Sequence, residues 1–470
     1  MKTKKVLLIS PQLRIVKQSH SIYSKNTHRR AQPLMGIGSI ATILNEKGYT
    51  VKYLDSIIED INNTFHFDEY TDCYGMGYEQ LIEKVKEFAP DLVGISCLFT
   101  AQFSQAVKVA SDIKGYNKDI PIVIGGNQAS LTWANVMKHE CFDYVLKGEG
   151  ELLFPELIDA IFNNKPLDKI RSIVYRDNGS VRKTEGFEHI KDLDSLPYFN
   201  WDLVPLQKYW SEALPQNPFA KSRKSIPYET SRGCPERCIF CSTTKFFGHQ
   251  WRYKSSKRVI DEISNAVKKY NVEEVEFMDD NLALHSKRFI EICEGLEGLN
   301  LHLCAPSGIR FDYIKDYDKV KEIYSKMKKA GFYQITFAVE SGNEDFLNNV
   351  IKKRLDLNRM KKNISMAKDS GFKTHAFFII GFPHETRQQI NDTISYAKSL
   401  DIDSCSLSLA TPFPATEMRE WCERDNLLLE NFEESHLLLG KTVLKRFDDL
   451  QIEELESMAE EAVASLNRKC

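Results

Sequence analysis

Three cysteines fall within one run of eight residues, Cys234, Cys238 and Cys241, inside Ser231-Arg232-Gly233-Cys234-Pro235-Glu236-Arg237-Cys238-Ile239-Phe240-Cys241. Thiolates this close on one loop can wrap a single compact metal centre. Gly233 lets backbone approach it and Pro235 favours a turn between ligands. Lys2, Lys4 and Lys5 precede an apolar stretch of only residues 6–9 before Ser10 and Pro11, too short for the core of an export signal, so a cytoplasmic chain is expected. In a reducing cytosol a close cysteine cluster reads as a metal or catalytic site rather than a disulfide framework, and the total of eleven cysteines is odd. On residues alone two centres stay open. One is a four-iron cluster with an iron left without a protein thiolate; the other is zinc held by Cys238, Cys241 and His249.

Upstream of the cysteines, apolar runs at residues 6–9, 51–54, 92–96, 122–124 and 144–146 alternate with stretches of helical period, such as Ile37, Ile40, Ala41, Leu44 and Leu81, Val85, Phe88. This alternation predicts an α/β, Rossmann-like domain of flavodoxin type over residues 1–162, whose ligands bind beyond the carboxyl ends of the strands. Residues 163–225, with the turn Asp177-Asn178-Gly179 and several prolines, read as hairpin and linker. Candidate strands at 228–230, 274–277, 301–305, 334–339, 374–380 and 404–409 then predict a partial (β/α)6 TIM-like barrel over residues 226–418. The segment 419–470 reads as a helical tail, with Leu455, Met458, Ala459, Ala462 and Leu466 on one face behind Asp448 or Asp449 as cap.

The barrel region resembles the radical S-adenosylmethionine family. The resemblance implies that Cys234, Cys238 and Cys241 hold a 4Fe-4S cluster whose open iron chelates S-adenosylmethionine, with Phe240 in the aromatic position before the third cysteine. It further implies that an electron from the cluster cleaves the sulfonium carbon–sulfur bond and releases a 5′-deoxyadenosyl radical. Other strand ends take roles by the same resemblance. Asp279 and Asp280, in Glu276-Phe277-Met278-Asp279-Asp280-Asn281, lie near the methionine amine; Arg310 pairs with a carboxylate; Glu340 accepts from the ribose hydroxyls, with Ser341 beside it as a further S-adenosylmethionine contact; Gly381 and Pro383 meet the adenine. Helix capping by one of the aspartates and a structural ion pair at Arg310 are the plainer readings, and both stay open here.

The run Pro33-Leu34-Met35-Gly36-Ile37-Gly38-Ser39-Ile40-Ala41, with Gly48 and Asp55 after it, resembles the start of cobalamin-binding domains fused to this radical class. The contacts implied for cobalamin are Gly36, Gly38, Cys97, Leu98, Gly125, Gly126, Asn127, Gln128, Gly148 and Glu149. Gly36-x-Gly38-x-x-Ala41 also satisfies a relaxed dinucleotide fingerprint. That fingerprint must follow a strand at once, whereas the first strand ends more than twenty residues earlier. The Asp-x-His-x-x-Gly motif is absent and Gln128 stands where related fused domains often have histidine. Cobalamin is therefore expected with its own base displaced and no histidine from that motif on cobalt. Cys73, Cys97 and Cys141 read as free core thiols.

The 63 Lys and Arg against 66 Asp and Glu exclude a globally basic nucleic-acid binder, and no segment approaches the ~20 apolar residues of a membrane span. Charge is uneven locally. Residues 1–30 carry eight basic and no acidic side chains, and residues 221–258 carry ten basic and two acidic. Arg14, Lys17, Lys25, Arg29 and Arg30, in the loop after the first strand, suggest attraction for an anionic group on a small-molecule substrate. The electron donor expected is a flavodoxin or ferredoxin. The function implied is a cobalamin-dependent radical S-adenosylmethionine methyltransferase acting on an unactivated carbon. A cyclase, ring-contraction or rearrangement enzyme is the enzymatic alternative, and an iron–sulfur sensor the non-enzymatic one.

Overall fold

A computed structural model of the chain describes residues 3–17, 30–187, 189–430, 432, 434, 437, 441–445, 447 and 449–467, in two compact units that divide between Gln216 and Asn217. Lys25, Arg29 and Asp448 lie outside the described residues. No described helix is long and apolar enough to cross a membrane.

The first unit runs β1 (Lys5–Ser10), β2 (Leu13–Val16), α1 (Met35–Glu46), β3 (Thr50–Asp55), α2 (Ser56–Glu59), β4 (Thr64–His66), β5 (Thr71–Tyr74), α3 (Tyr78–Phe88), β6 (Leu92–Ser96), α4 (Phe103–Tyr116) and β7 (Ile122–Gly125). It continues through α5 (Asn127–Leu131), α6 (Trp133–Val136), β8 (Tyr144–Leu146), α7 (Gly150–Phe162), β9 (Ile173–Asp177), β10 (Ser180–Lys183) and α8 (Leu206–Glu212). Parallel strands stand in the order β3-β1-β6-β7-β8, the doubly wound flavodoxin order, and the antiparallel hairpin β9-β10 extends the sheet beyond β8. Alternation along β1 divides the core. Leu7 and Ile9 pack with Leu81 and Val85 of α3 and Ala106, Val109 and Ile113 of α4; Val6 and Leu8 pack with Ile37, Ala41 and Leu44 of α1 and Leu157 of α7.

One element departs from the sequence reading. The segments after β1 and β3, read as loops, form a separate antiparallel sheet β2-β5-β4. Its strands are only three or four residues long, with β2 and β4 half exposed and β5 largely buried, so neither length nor alternation marked them. This sheet also engages the basic loop. Arg14 is buried, pairs with Asp68, donates to Thr71 Oγ1 at 3.1 Å and lies over the Phe67 ring. Lys17 Nζ donates to the carbonyls of Asp68 at 2.7 Å and Glu69 at 3.0 Å, and Arg30 donates to the Pro215 carbonyl at 2.6 Å. The described members of the supposed anion-attracting group are thus committed to internal partners.

The second unit runs β11 (Ser225–Tyr228), β12 (Ser231–Arg232), α9 (Thr243–Phe246), β13 (Arg252–Tyr253), α10 (Ser256–Tyr270), β14 (Glu274–Phe277), α11 (Ser286–Leu296), β15 (His302–Cys304), α12 (Tyr317–Ala330) and β16 (Gln334–Glu340). After β16 come α13 (Leu357–Asp369), β17 (Lys373–Ile380), α14 (Arg387–Ser399), β18 (Ser404–Leu409), α15 (Glu417–Arg424) and α16 (Ile452–Asn467). Two parallel triplets, β11-β14-β15 and β16-β17-β18, join through a parallel bridge at Leu303 and Phe332, giving six strands in sequence order. The first strand lies three residues earlier than the reading at 228–230, because Glu229 and Thr230 already belong to the strand-end loop. Leu455, Ala459, Ala462 and Leu466 of α16 are buried. Asp449, read as the cap of that helix, instead accepts from the Arg387 N–H at 3.0 Å at the head of α14.

Candidate active site

The cysteine loop leaves β12 and returns at β13, which pairs with it antiparallel and closes the loop at its base. Gly233 has φ +85°, and a Cβ there would meet the Gln250 carbonyl oxygen at 2.5 Å and the Gly248 oxygen at 3.1 Å. Only glycine fits where these segments cross. Cys234, Cys238 and Cys241 are half-buried, and burial pushes all three thiols up, Cys238 to about 12 against the pull of Lys353. Glu236, between the first two cysteines, is 5% exposed and accepts from Arg354 Nε at 3.0 Å and Tyr313 Oη at 3.1 Å, with Arg310 3.5 Å away. Sequence reading passed over Glu236, although a charged residue inside a buried loop demands a partner. Among the described residues no three His, Cys, Asp or Glu side chains converge as ligands of one ion. His249 is exposed, with Nδ1 3.2 Å from the Glu236 carbonyl oxygen. The loop does not match a mononuclear zinc centre, whereas thiolates that each hold a different iron need not converge on one point.

The strand-end carboxylates divide into committed and available groups. Asp279 is buried and accepts from Thr230 Oγ1 at 2.6 Å, Ser231 Oγ at 2.5 Å and Thr230 N at 3.1 Å, tying the end of β14 to the cysteine loop. Asp280 reaches solvent but is ringed by protein. Desolvation first, and the Glu229 charge second, push its carboxyl up to about 7, with Thr243 Oγ1 donating at 3.1 Å. Arg310 forms the structural ion pair, Nε and Nη2 to Asp312 at 2.9 and 2.5 Å. Ser341 is buried, meets Thr393 Oγ1 at 3.1 Å and accepts from Asn343 N at 3.2 Å. Both side chains have protein partners.

Glu340 occupies a bulge at the end of β16 with φ +75°, a left-handed conformation rare outside glycine, and accepts from Lys353 Nζ at 2.8 Å. Lys353 is 6% exposed and follows a short π-helix, residues 346–350. Lys352 at φ +62° and Arg354 at φ +54° flank it, strain of the kind that concentrates at functional segments. No motif announced Lys353, because its neighbours in the chain are also basic. At the end of β17, Gly381 has φ +80° and a Cβ there would meet Leu455 of α16 at 2.8 Å. The buried Glu385 shapes this turn, accepting from Gly381 N at 2.6 Å and Phe382 N at 3.0 Å, while Pro383 is buried and Phe240 lies 6.0 Å from Phe382 between ring centroids.

In the first unit the strand ends form a small-residue cradle. Gly126 has φ +99° and a Cβ would meet the Cys97 carbonyl oxygen at 2.6 Å, while Cys97 N donates to Gly125 O at 2.8 Å. Leu98 N donates to Gln102 at 3.3 Å, and Phe99 beside it is 56% exposed, a large apolar surface at the sheet edge. Asn127 and Gln128 open α5. Gln128 accepts from Thr100 Oγ1 at 2.9 Å, so its side chain is held rather than free. Gly148, at φ +88°, donates from N to Ser130 Oγ at 3.1 Å. Two of the implied contacts also meet partners within the fold. Glu149 is buried and accepts from Ile190 N at 2.5 Å, and Gly38 makes room for the Phe199 ring against α1. Gly36 is exposed with nothing within 4 Å of a Cβ. The glycine cradle with an apolar rim suits a bulky planar cofactor that approaches backbone closely, so the residues present fit cobalamin. The thiol loop with Asp280 and Glu340 fits an iron–sulfur cluster and S-adenosylmethionine.

Residues 31–158 match the B12 binding domain family and residues 228–397 the Radical SAM superfamily. An uncharacterized methyltransferase of Pyrococcus horikoshii is 32% identical over 460 residues, 97% of this chain and 91% of its own. Cytidylyl-2-hydroxyethylphosphonate methyltransferase of Streptomyces wedmorensis is 29% identical over 453 residues, 90% of this chain and 82% of its own. The fold is similar to that of the radical S-adenosylmethionine methyltransferase TsrM from Kitasatospora setae, solved with cobalamin and a 4Fe-4S cluster, at TM-score 0.71 and 17% identity over 90% of this chain and 78% of that one. A doubly wound domain with a glycine cradle, a six-stranded partial barrel with a three-cysteine loop, and a relative matched over nearly its whole length place the chain in the family of cobalamin-binding radical S-adenosylmethionine enzymes.

Proposed function

We propose that this enzyme methylates a carbon of a small molecule, using one S-adenosylmethionine as methyl source and a second as radical source. The observation that carries the reading is the union, in one chain, of a B12-binding domain and a cysteine-loop barrel across most of the length of relatives named as methyltransferases. When bound, the cluster would supply the electron that cleaves S-adenosylmethionine, and cobalamin would supply the methyl group. The chain's own groups position these. Cys234, Cys238 and Cys241 hold the cluster; Glu236 fixes the loop; Lys353, paired with Glu340, brings positive charge beside Cys238. Asp280 is the carboxylate left to meet the methionine amine, Glu340 the acceptor for ribose hydroxyls, and the Gly381–Pro383 backbone the surface for adenine. Cys97, Leu98, Gly125, Gly126, Asn127 and Gly148 cradle cobalamin, with no histidine from the missing motif on cobalt. A flavodoxin- or ferredoxin-class donor in a reducing cytosol suits an electron-fed cluster.

The test is anaerobic reconstitution with iron, sulfide and cobalamin, then reductant and S-adenosylmethionine carrying an isotopically labelled methyl group. S-adenosylhomocysteine and 5′-deoxyadenosine should both appear, each above a Cys234→Ala control, and the label should enter the product. A coupled product without the label would refute methylation and select the cyclase or rearrangement reading.

A further inference from the structure

A closed barrel fills its interior with layers of bulky branched side chains. The inner wall of the β16-β17-β18 triplet does the opposite. Parallel register sets Thr336, His375 and Ser404 side by side at one level, Ala338, Phe377 and Ser406 at the next, and Ile379 beside Ser408 above them. The alternate residues, Ala376, Phe378, Ile380, Cys405, Leu407 and Leu409, are 0–6% exposed, and α13, α14 and α16 pack on β17 and β18. On the inner face Ser406 and Ser408 are exposed, and His375, Phe377 and Ile379 are half-buried. His375 Nδ1 lies 2.7 Å from Ser404 Oγ and Nε2 3.1 Å from Ser406 Oγ. One ring nitrogen must donate and the other accept, so the three groups form a polar chain that ends at the accessible Ser406 hydroxyl.

Charge is absent from the middle of this wall. On the three strands the ionisable side chains of this face, His375 aside, stand at its two ends: Lys373, 3.8 Å from Asp403, and Glu340, held by Lys353. Burial holds the His375 imidazole down at about 4, so it is neutral near pH 7. The wall is therefore a hydroxyl stripe along β18 beside an apolar stripe of Phe377 and Ile379, with the exposed Phe219 ring 6.1 Å from His375 at the deep end. At a rise of roughly 3.3 Å per residue, Ile379 stands about 7 Å along the strand from Gly381, and His375 about 20 Å.

We propose that this wall binds the substrate of the radical reaction, and that the substrate is uncharged and elongated. It would span about 10 Å or more, with a hydroxyl, carbonyl or amide against the Ser404–His375–Ser406 chain, an apolar middle against Phe377, and its reacting carbon toward Ile379 and Ser408. The inference rests on the radical-enzyme reading of the strand ends. It departs from the anionic substrate suggested by the basic loop, whose described cations are engaged elsewhere.

Two probes of equal shape test it: para-phenylphenol, which is neutral with a terminal hydroxyl, and para-phenylbenzoate, which carries a charge at the same end. Equilibrium dialysis against the anaerobic, cofactor-loaded protein should show the phenol binding at least tenfold more tightly than the carboxylate. Ser406→Ala and His375→Phe should each weaken the phenol fivefold or more at wild-type iron content and melting temperature. Ser406 is exposed, so its variant decides the matter if His375→Phe does not fold. Equal or tighter binding of the carboxylate, or undiminished phenol binding in Ser406→Ala, overturns the proposal. Wild-type 5′-deoxyadenosine formation is measured in the same preparations. Its absence would refute the radical reading of the strand ends, while the dialysis result separately decides what the wall binds.

Discussion

Glu385 offers a quantitative check on how the turn after β17 is held. Its side chain is 0% exposed; one oxygen takes the N–H groups of Gly381 and Phe382, and the other, Oε1, has no hydrogen-bond partner among the described residues. Burial pushes the carboxyl up to about 8 from an ordinary 4.5, and the two backbone donors offset only part of that rise. Between those two values the unfolded chain has lost the proton and the folded chain keeps it. The stabilising contribution is therefore complete below the unfolded value and is lost as pH rises through the folded one. At 1.36 kcal/mol per pH unit the whole loss is about 5 kcal/mol, of which about 3 kcal/mol falls between pH 6 and pH 9. Glu385→Gln keeps an oxygen for the same two N–H groups. Its amide donor enters the slot at Oε1, but the protonated acid puts an O–H donor there too, so at pH 6 the two proteins should agree within about 1 kcal/mol. At pH 9 the glutamine variant should be the more stable by about 3 kcal/mol. Urea unfolding of the metal-free chain, followed by tryptophan fluorescence across this pH range, measures the difference. Parallel pH profiles for the two proteins would refute the buried-acid account of the turn.

Glu236→Gln should lower iron retention by the cysteine loop while costing only about 1–2 kcal/mol of stability, because Arg354 is 65% exposed and Arg310 keeps Asp312; iron content and urea midpoints check both parts. Gly126→Ala places a Cβ 2.6 Å from the Cys97 carbonyl oxygen at φ +99°. It should destabilise the first unit by about 1–3 kcal/mol and reduce bound cobalamin, read by absorbance after gel filtration. The two neighbouring aspartates should separate cleanly. Asp279→Ala, which strands three buried donors, should lower the melting temperature, whereas Asp280→Ala should leave it unchanged and weaken S-adenosylmethionine binding tenfold or more in equilibrium dialysis.

The fold was legible wherever burial on both faces of a strand wrote itself into composition. Residues 92–96 and 144–146 in the first unit, and 274–277 in the second, are the strands that the structure contains, end to end. The hairpin at Asp177-Asn178-Gly179 was equally plain, since Asn178 at φ +50° and Gly179 at φ +80° are what its turn demands. The sheet β2-β5-β4 was not legible. Strands of three or four residues carry neither an apolar run nor a full alternation, and β2 reaches β5 only through residues over fifty positions apart.

The candidate site shows a different limit. The family resemblance brought Asp279 and Asp280, Glu340 and Ser341, and Gly126 and Gly38 together as candidates, but a matching position does not say which polar atoms are already engaged. Asp279 and Ser341 meet buried partners, while Asp280 and the Gly126 cradle reach solvent. Gly38 is glycine because an aromatic ring from the segment near residue 199 lies against it, a contact 161 positions away that no local pattern encodes. Lys353 was invisible for the converse reason. Its charge means something only once the chain has carried it past a π-helix to Glu340 and Cys238. The inner wall of β17 and β18 lies between these cases. The serines at 404, 406 and 408 stand in the strand's two-residue period, a pattern that in an ordinary sheet marks a face turned to water. In a barrel that face turns inward, and polarity there marks room for a ligand in place of packing.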